Sequence, residues 1–145
     1  MKILKLDNSD LEEEFFEDTR LLGVVASLKD YQICWQLNQK LRFDLRNNNE
    51  IEIQLNKKNR CYFFTVFQYQ EVNTALIHYL YNNQFDGEYL LPEFKHLDFL
   101  WLMKGDTMPD DRLNNIIASV RHVNGVQLVT ELTNEKIRHK GHLIF

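Results

Sequence analysis

Leu91-Pro92-Glu93-Phe94-Lys95-His96-Leu97-Asp98-Phe99 runs straight into the apolar segment Leu100-Trp101-Leu102-Met103. Pro92 fixes its own φ and pushes Leu91 toward extended conformations, so Glu93 and Phe94 fall in a turn or a single helical turn. A strand from about Leu97 to Met103 follows. Leu97, Phe99, Trp101 and Met103 share one parity, while Asp98, Leu100, Leu102 and Lys104 share the other. Apolar residues at both parities predict a central strand covered on both faces. Asp98 then stands at the mouth of a buried face, where an ionised carboxylate needs hydrogen bonds or a cation.

Downstream, Gly105 breaks the strand, and Thr107 with Asp110 reads as a capping box for a helix carrying Leu113, Ile116, Ile117 and Val120 on one stripe. Gly125 supplies the stop, at a position that needs positive φ. Val126–Leu132 is the last strand, and 134–145 reads as a basic, loosely held tail. Upstream, Thr19–Ala26 is a first strand. Ser27 and Asp30 form a second capping box before a helix from Leu28 to Leu41, with Leu28, Tyr31, Cys34, Trp35, Leu37 and Leu41 on its apolar face. Ile51–Leu55, Cys61–Tyr69 and Val72–Tyr81 read as three strands with short links, an antiparallel meander. The order β-α-β-β-β-β-α-β predicts a single α+β domain over 1–145. Its core is a mostly antiparallel sheet of five or six strands with both helices on one face.

The 145 residues suffice to bury a core without disulfides or metals. The formal net charge of −4 resides in the first twenty residues, where seven acids face Lys2, Lys5 and Arg20; the rest is neutral. Residues 1–18 therefore read as an acidic arm pinned to the body by Phe15 and Phe16. A neutral body argues against nucleic acid as a partner. No apolar run is long enough to span a bilayer, and residues 1–7 lack the apolar core of a signal peptide. Cys34 and Cys61 lack a CxxC partner and read as reduced thiols, which points to the cytoplasm.

The segment Leu91–Phe99 resembles the motif of the IPExxxVDY family of small bacterial proteins. Pro92, Glu93 and Asp98 stand as in the motif, Leu91 replaces Ile, Leu97 replaces Val, and Phe99 replaces Tyr. Lys29-Asp30-Tyr31 and Cys34-Trp35 support the resemblance. It implies a bacterial source and brings no substrate, cofactor or partner. Any role for the Tyr hydroxyl is absent from this chain.

Read physically, Glu93 and Asp98 are acids that accept backbone N–H groups and fix how the loop joins the sheet. The competing reading is a small ligand or weakly catalytic site built by Pro92, Glu93, His96 and Asp98, with raised carboxyl pKa values in a closed pocket. Arg60–Phe67 partly matches an RNA-binding strand, but Cys61 and Phe63 occupy positions where small residues are needed, so core packing is the expected role. His139-x-x-His142 reads as a pair of tail histidines, not as metal ligands, and His78 as a hydrogen-bonded strand residue. No phosphate-cradling or nucleophile-elbow motif occurs, and no cofactor is expected. The function expected is therefore non-catalytic association, with another copy or with a protein partner.

Overall fold

A computed structural model describes residues 10–145. The main sheet has six strands: β1 (Arg20–Ala26), β2 (Arg46–Asn47), β5 (Val66–Gln70), β6 (Ile77–Asn82), β9 (Phe99–Lys104) and β10 (Val126–Leu132). Their order is β10-β1-β9-β6-β5-β2, and every neighbouring pair is antiparallel. Helices α1 (Asp30–Leu41) and α2 (Asp110–Arg121) complete the α+β fold. Since β9 and β10 both run opposite to β1, they point the same way with β1 between them.

β9 is central, as its composition predicts, and its two parities serve two cores. Phe99, Trp101 and Met103 meet Ile33, Cys34 and Leu37 of α1 and Leu113, Ile116 and Val120 of α2. Both helices thus lie on one face. Leu100 and Leu102 face the other side with Tyr79, Tyr81 and Leu21. A separate ribbon of β3 (Ile53–Lys57) and β4 (Arg60–Phe64) covers that side, together with Leu90, Leu91, Leu97, Ile137 and Leu143. Each of the fully buried leucines among these contributes roughly 1.5–3 kcal/mol. β7 (Gln84–Phe85) and β8 (Glu88–Tyr89) form a short hairpin leading to the motif.

Away from the motif loop, five expectations need correction. The run Cys61–Tyr69 is not one strand: it breaks at Thr65, so Tyr62 and Phe64 sit in the covering ribbon while β5 belongs to the main sheet. Residues 72–76 form a loop before β6, not the start of a strand. The apolar stripe of α1 is Ile33, Cys34 and Leu37; Tyr31 and Trp35 are each 60 % exposed. Neither capping box forms. Ser27 Oγ instead accepts Gln127 Nε2, Gln32 receives the Lys29 N–H at 2.8 Å, and Asp110 turns to Arg20. Arg20 thereby ties β1 to Glu131 on β10 and to the start of α2.

The fifth correction concerns 134–145, which is packed and not loose. Leu143 is fully buried and Ile137 nearly so, and the Tyr81 hydroxyl donates to the Leu143 carbonyl at 2.8 Å. Apolar Ile137, Leu143 and Ile144 in a basic run make this possible, because burying them repays the ordering of the segment. In the acidic arm, 10–15 is helical, and Phe15 and Phe16 pack against the second core. Residues 1–9 of that arm lie outside the described residues.

Candidate functional site

Pro92 opens a single 3-10 turn, Pro92–Phe94, after an extended Leu91 at φ −113° and ψ 90°. This is the conformation that a proline imposes on its predecessor. The loop is organised by Asn83, which is fully buried. Asn83 Nδ2 donates to the carbonyls of Phe94 and Leu97, each at 2.9 Å, and Asn83 Oδ1 accepts the Leu91 N–H at 2.9 Å. Its own N–H donates to the Asp98 carbonyl, and its carbonyl accepts from Leu90. One buried amide therefore satisfies the loop on three sides, which is what burial of polar backbone requires.

Asp98 is exposed, with one oxygen in use: the Ala26 N–H donates to Asp98 Oδ2 at 2.9 Å. The Asp98 N–H donates to the Val24 carbonyl at 2.8 Å. The side chain so replaces a backbone acceptor where the β1–β9 ladder ends. Leu97 points away from the helix face into the second core and lies over Gly23. A Cβ on Gly23 would sit 2.4 Å from Leu97 Cδ1. The expected strand start at Leu97 is therefore corrected to Phe99, because the backbone turns at Leu97–Asp98.

Glu93 reaches the C-terminal segment. Its carboxylate accepts the backbone N–H groups of Arg138 and His139, and His139 Nδ1 lies 2.8 Å from Glu93 Oε1. Burial raises the carboxyl's pKa, but the backbone N–H groups and the His139 ring outweigh it and hold Glu93 below its ordinary value. The raised value that a closed acidic pocket requires is thus reversed at Glu93. His96 is exposed, its ring 6.3 Å from that of Phe94, and it does not join Glu93 and Asp98 in one cluster. A surface depression of about 630 Å³ lies elsewhere, lined by Arg42, Asp44, Arg46, Gln68 and Tyr69 among others.

A second polar cluster sits under α2. Trp101 Nε1 donates to His78 Nδ1 at 3.0 Å, and His78 Nε2 lies 2.8 Å from Glu71 Oε2. Arg112 grips both Glu71 oxygens, and the Thr74 hydroxyl donates to one. Burial raises the Glu71 pKa, yet Arg112, His78 and Thr74 together bring it down to about 2. Base, carboxylate and cation stand in line, but the base is fully buried with both ring nitrogens occupied. It has no lone pair to offer a substrate. Burial pushes the Cys34 thiol up to about 12, with a further push from Asp30, so it is no nucleophile. Tyr62 and Phe64 are buried in the second core, so the stacking surface needed for RNA is missing on that strand.

Sequence reasoning missed Asn83, the Glu71–Arg112 pair and the Glu93–His139 contact. A lone Asn after an apolar strand reads as a turn signal, and nothing local marks a partner 46 positions away. Among the described residues, no group of three or more His, Cys, Asp or Glu side chains is arranged to hold a metal ion, and no helix is long and apolar enough to cross a membrane. Comparison of the chain with protein-family models, curated proteins and solved structures finds no match.

Proposed function

We propose that this chain is a non-catalytic bacterial module of the IPExxxVDY type that works in the cytosol by pairing with a second copy of itself along β10. The carrying observation is the edge of the main sheet. β10 is seven residues long and, among the described residues, has one strand neighbour, β1. The opposite edge, β2, is two residues long and flanked by the exposed Asp44–Arg46 ion pair. Short, charged edges resist pairing, whereas long edges without Lys or Pro invite it. Val126-Gln127-Leu128-Val129-Thr130-Glu131-Leu132 has neither.

Backbone direction favours a symmetric partner. Val24 spends its carbonyl on Asp98, so Leu21, Gly23 and Val25 turn theirs to β10, opposite Leu132, Thr130 and Leu128. Val129 and Glu131 then direct their N–H and C=O outward. Arg121 confirms the direction by donating to the Val129 carbonyl at 3.3 Å, a long contact that a strand replaces at little loss. A two-fold axis through Val129 sets Val129 against Val129 and brings Gln127, the residue that the register shift in β10 leaves without a partner on β1, toward Glu131 of the second copy, with no like charges opposed. Two unpaired cysteines, one exposed, fit a reducing compartment. Sedimentation equilibrium with amide exchange tests the proposal. A dimer that protects the Val129 and Glu131 amides supports it. A strict monomer at the highest soluble concentration, or protection confined to the exposed Tyr31–Trp35 face, overturns it.

A further inference from the structure

The C-terminal segment brings His139 and His142 together in a way that the tail reading of this pair did not anticipate. His139 is the residue preceding a 3-10 turn, Lys140–Leu143. In 3-10 geometry residues three apart eclipse one another, so the two imidazoles project from the same side. Their ring centroids are 5.1 Å apart at an interplanar angle of 36°.

Each ring has its Nδ1 committed. His142 Nδ1 lies 2.7 Å from the Leu90 carbonyl, which only accepts, so that nitrogen carries the proton. His139 Nδ1 faces the Glu93 carboxylate, which already accepts the backbone N–H groups of Arg138 and His139, so it too carries the proton. In the neutral rings both lone pairs are therefore on Nε2, and among the described residues neither Nε2 has a hydrogen-bond partner. Metal-ligating histidines show this arrangement: the ring nitrogen away from the metal donates to a carboxylate or a backbone carbonyl, which fixes tautomer and orientation. A metal about 2.0–2.1 Å from two imidazole nitrogens at a tetrahedral angle sets the ring centroids roughly 5 Å apart. Glu93 also contributes negative charge close to His139. Glu12 does so near Gly141, where an added Cβ would lie 2.6 Å from Glu12 Oε1.

From this geometry we infer that His139 and His142 form a two-imidazole site for a late first-row divalent ion, with Glu93 and the Leu90 carbonyl as positioning groups. Nitrogen ligands with open positions suit Zn²⁺, Ni²⁺ and Cu²⁺ rather than Mg²⁺ or Ca²⁺. Water or a ligand completes the coordination. Glu93, the acid of the loop motif, thus serves the site through His139 and does not itself bind the ion.

Zn²⁺ titration of the intact chain, followed by calorimetry and by NMR of the histidine ring nitrogens, tests the inference. One ion per chain is expected, shifting Nε2 of both His139 and His142 while Nδ1 of each stays protonated. His139→Ala and His142→Ala are each expected to weaken Zn²⁺ binding at least tenfold. Glu93→Gln is expected to weaken it about tenfold, in the range found for outer-shell partners. Shifts confined to His96, His122 or Cys61, or an affinity indifferent to both alanine variants, overturn the inference. The ring-nitrogen shifts are read on the unaltered chain, so the outcome holds even where a variant is poorly folded.

Discussion

Trp101 hands its indole N–H to His78 Nδ1 at 3.0 Å, and this fixes the protonation state of His78. An indole nitrogen only donates, so Nδ1 must accept and the ring proton lies on Nε2, facing Glu71. Protonating His78 would set one N–H against another inside a buried core of Phe43, Tyr69 and Trp101. Burial lowers the His78 pKa and Arg112 lowers it further, against the pull of Glu71.

Stability should therefore decline in two stages on acidification. The folded value of His78 lies below its ordinary 6.5, so under about pH 6.5 the unfolded chain binds a proton that the folded chain refuses, and stability falls. Glu71 has a folded value of about 2 against an ordinary 4.5. Its contribution is complete above about pH 4.5 and is lost as pH falls toward 2. Urea unfolding across this range reads both stages. Trp101→Phe removes the donor and should cost about 1–2 kcal/mol at neutral pH while flattening the first stage. An unchanged slope in that variant would show that the indole does not enforce the neutral ring.

Asn83 should matter more to stability than the motif acid Asp98. Asn83→Ala strands the Phe94 and Leu97 carbonyls and the Leu91 N–H in a buried loop, at about 3 kcal/mol. Asp98→Ala frees one N–H at an exposed ladder end and should cost about 1 kcal/mol. Chemical denaturation of the two variants ranks them. Equal losses would mean that Asn83 is not the hub of the loop.

How far the fold was legible follows from the range of each signal. β9 announced itself because its alternation is local: Phe99, Trp101 and Met103 to the helices, Leu100 and Leu102 to the ribbon. α2 was equally plain, with Leu113, Ile116 and Val120 buried as their spacing predicts. On α1 two adjacent stripes competed. Tyr31 and Trp35 are each one position from the stripe through Asp30 and Cys34, about 100° round the helix, and hydropathy does not choose between them. Of the candidate site, the acids' taste for backbone N–H groups was readable from Pro92, Glu93 and Asp98. Glu93's partners were not, because Arg138 and His139 are brought to it by tertiary packing of the C-terminal segment.

Gly23 and Leu97 should behave as a coupled pair. Gly23 sits in β1, where a Cβ would meet Leu97 Cδ1 at 2.4 Å and Cδ2 at 3.1 Å. Gly23→Ala should destabilise by roughly 1–3 kcal/mol through overpacking. Leu97→Ala alone should cost about 2–5 kcal/mol, because Leu97 is buried in the second core. The double variant should recover at least about 1 kcal/mol relative to the sum, since the new methyl enters the space that Leu97 leaves. Strict additivity in this cycle would show that the backbone, not Leu97, absorbs the added methyl.

Charge at Gln127 should tune the pairing of two copies along β10. In the proposed two-fold pairing Gln127 comes near Glu131 of the second copy, and cross-strand pairs of opposite charge contribute roughly 0.2–1 kcal/mol while like charges oppose. Two such pairs occur per dimer. Gln127→Lys should therefore tighten self-association several-fold, and Gln127→Glu should loosen it by a similar factor. Gln127 is exposed and its side chain reaches only Ser27 Oγ, so neither change should disturb the fold itself. Sedimentation equilibrium of the three chains at one ionic strength gives the order. Added salt should bring the three constants together, because exposed charges are screened within about 10 Å at 0.1 M. Equal dimerisation constants for Lys and Glu at this position would rule out the β10 register, since no other placement of the strand brings residue 127 beside Glu131 of its partner.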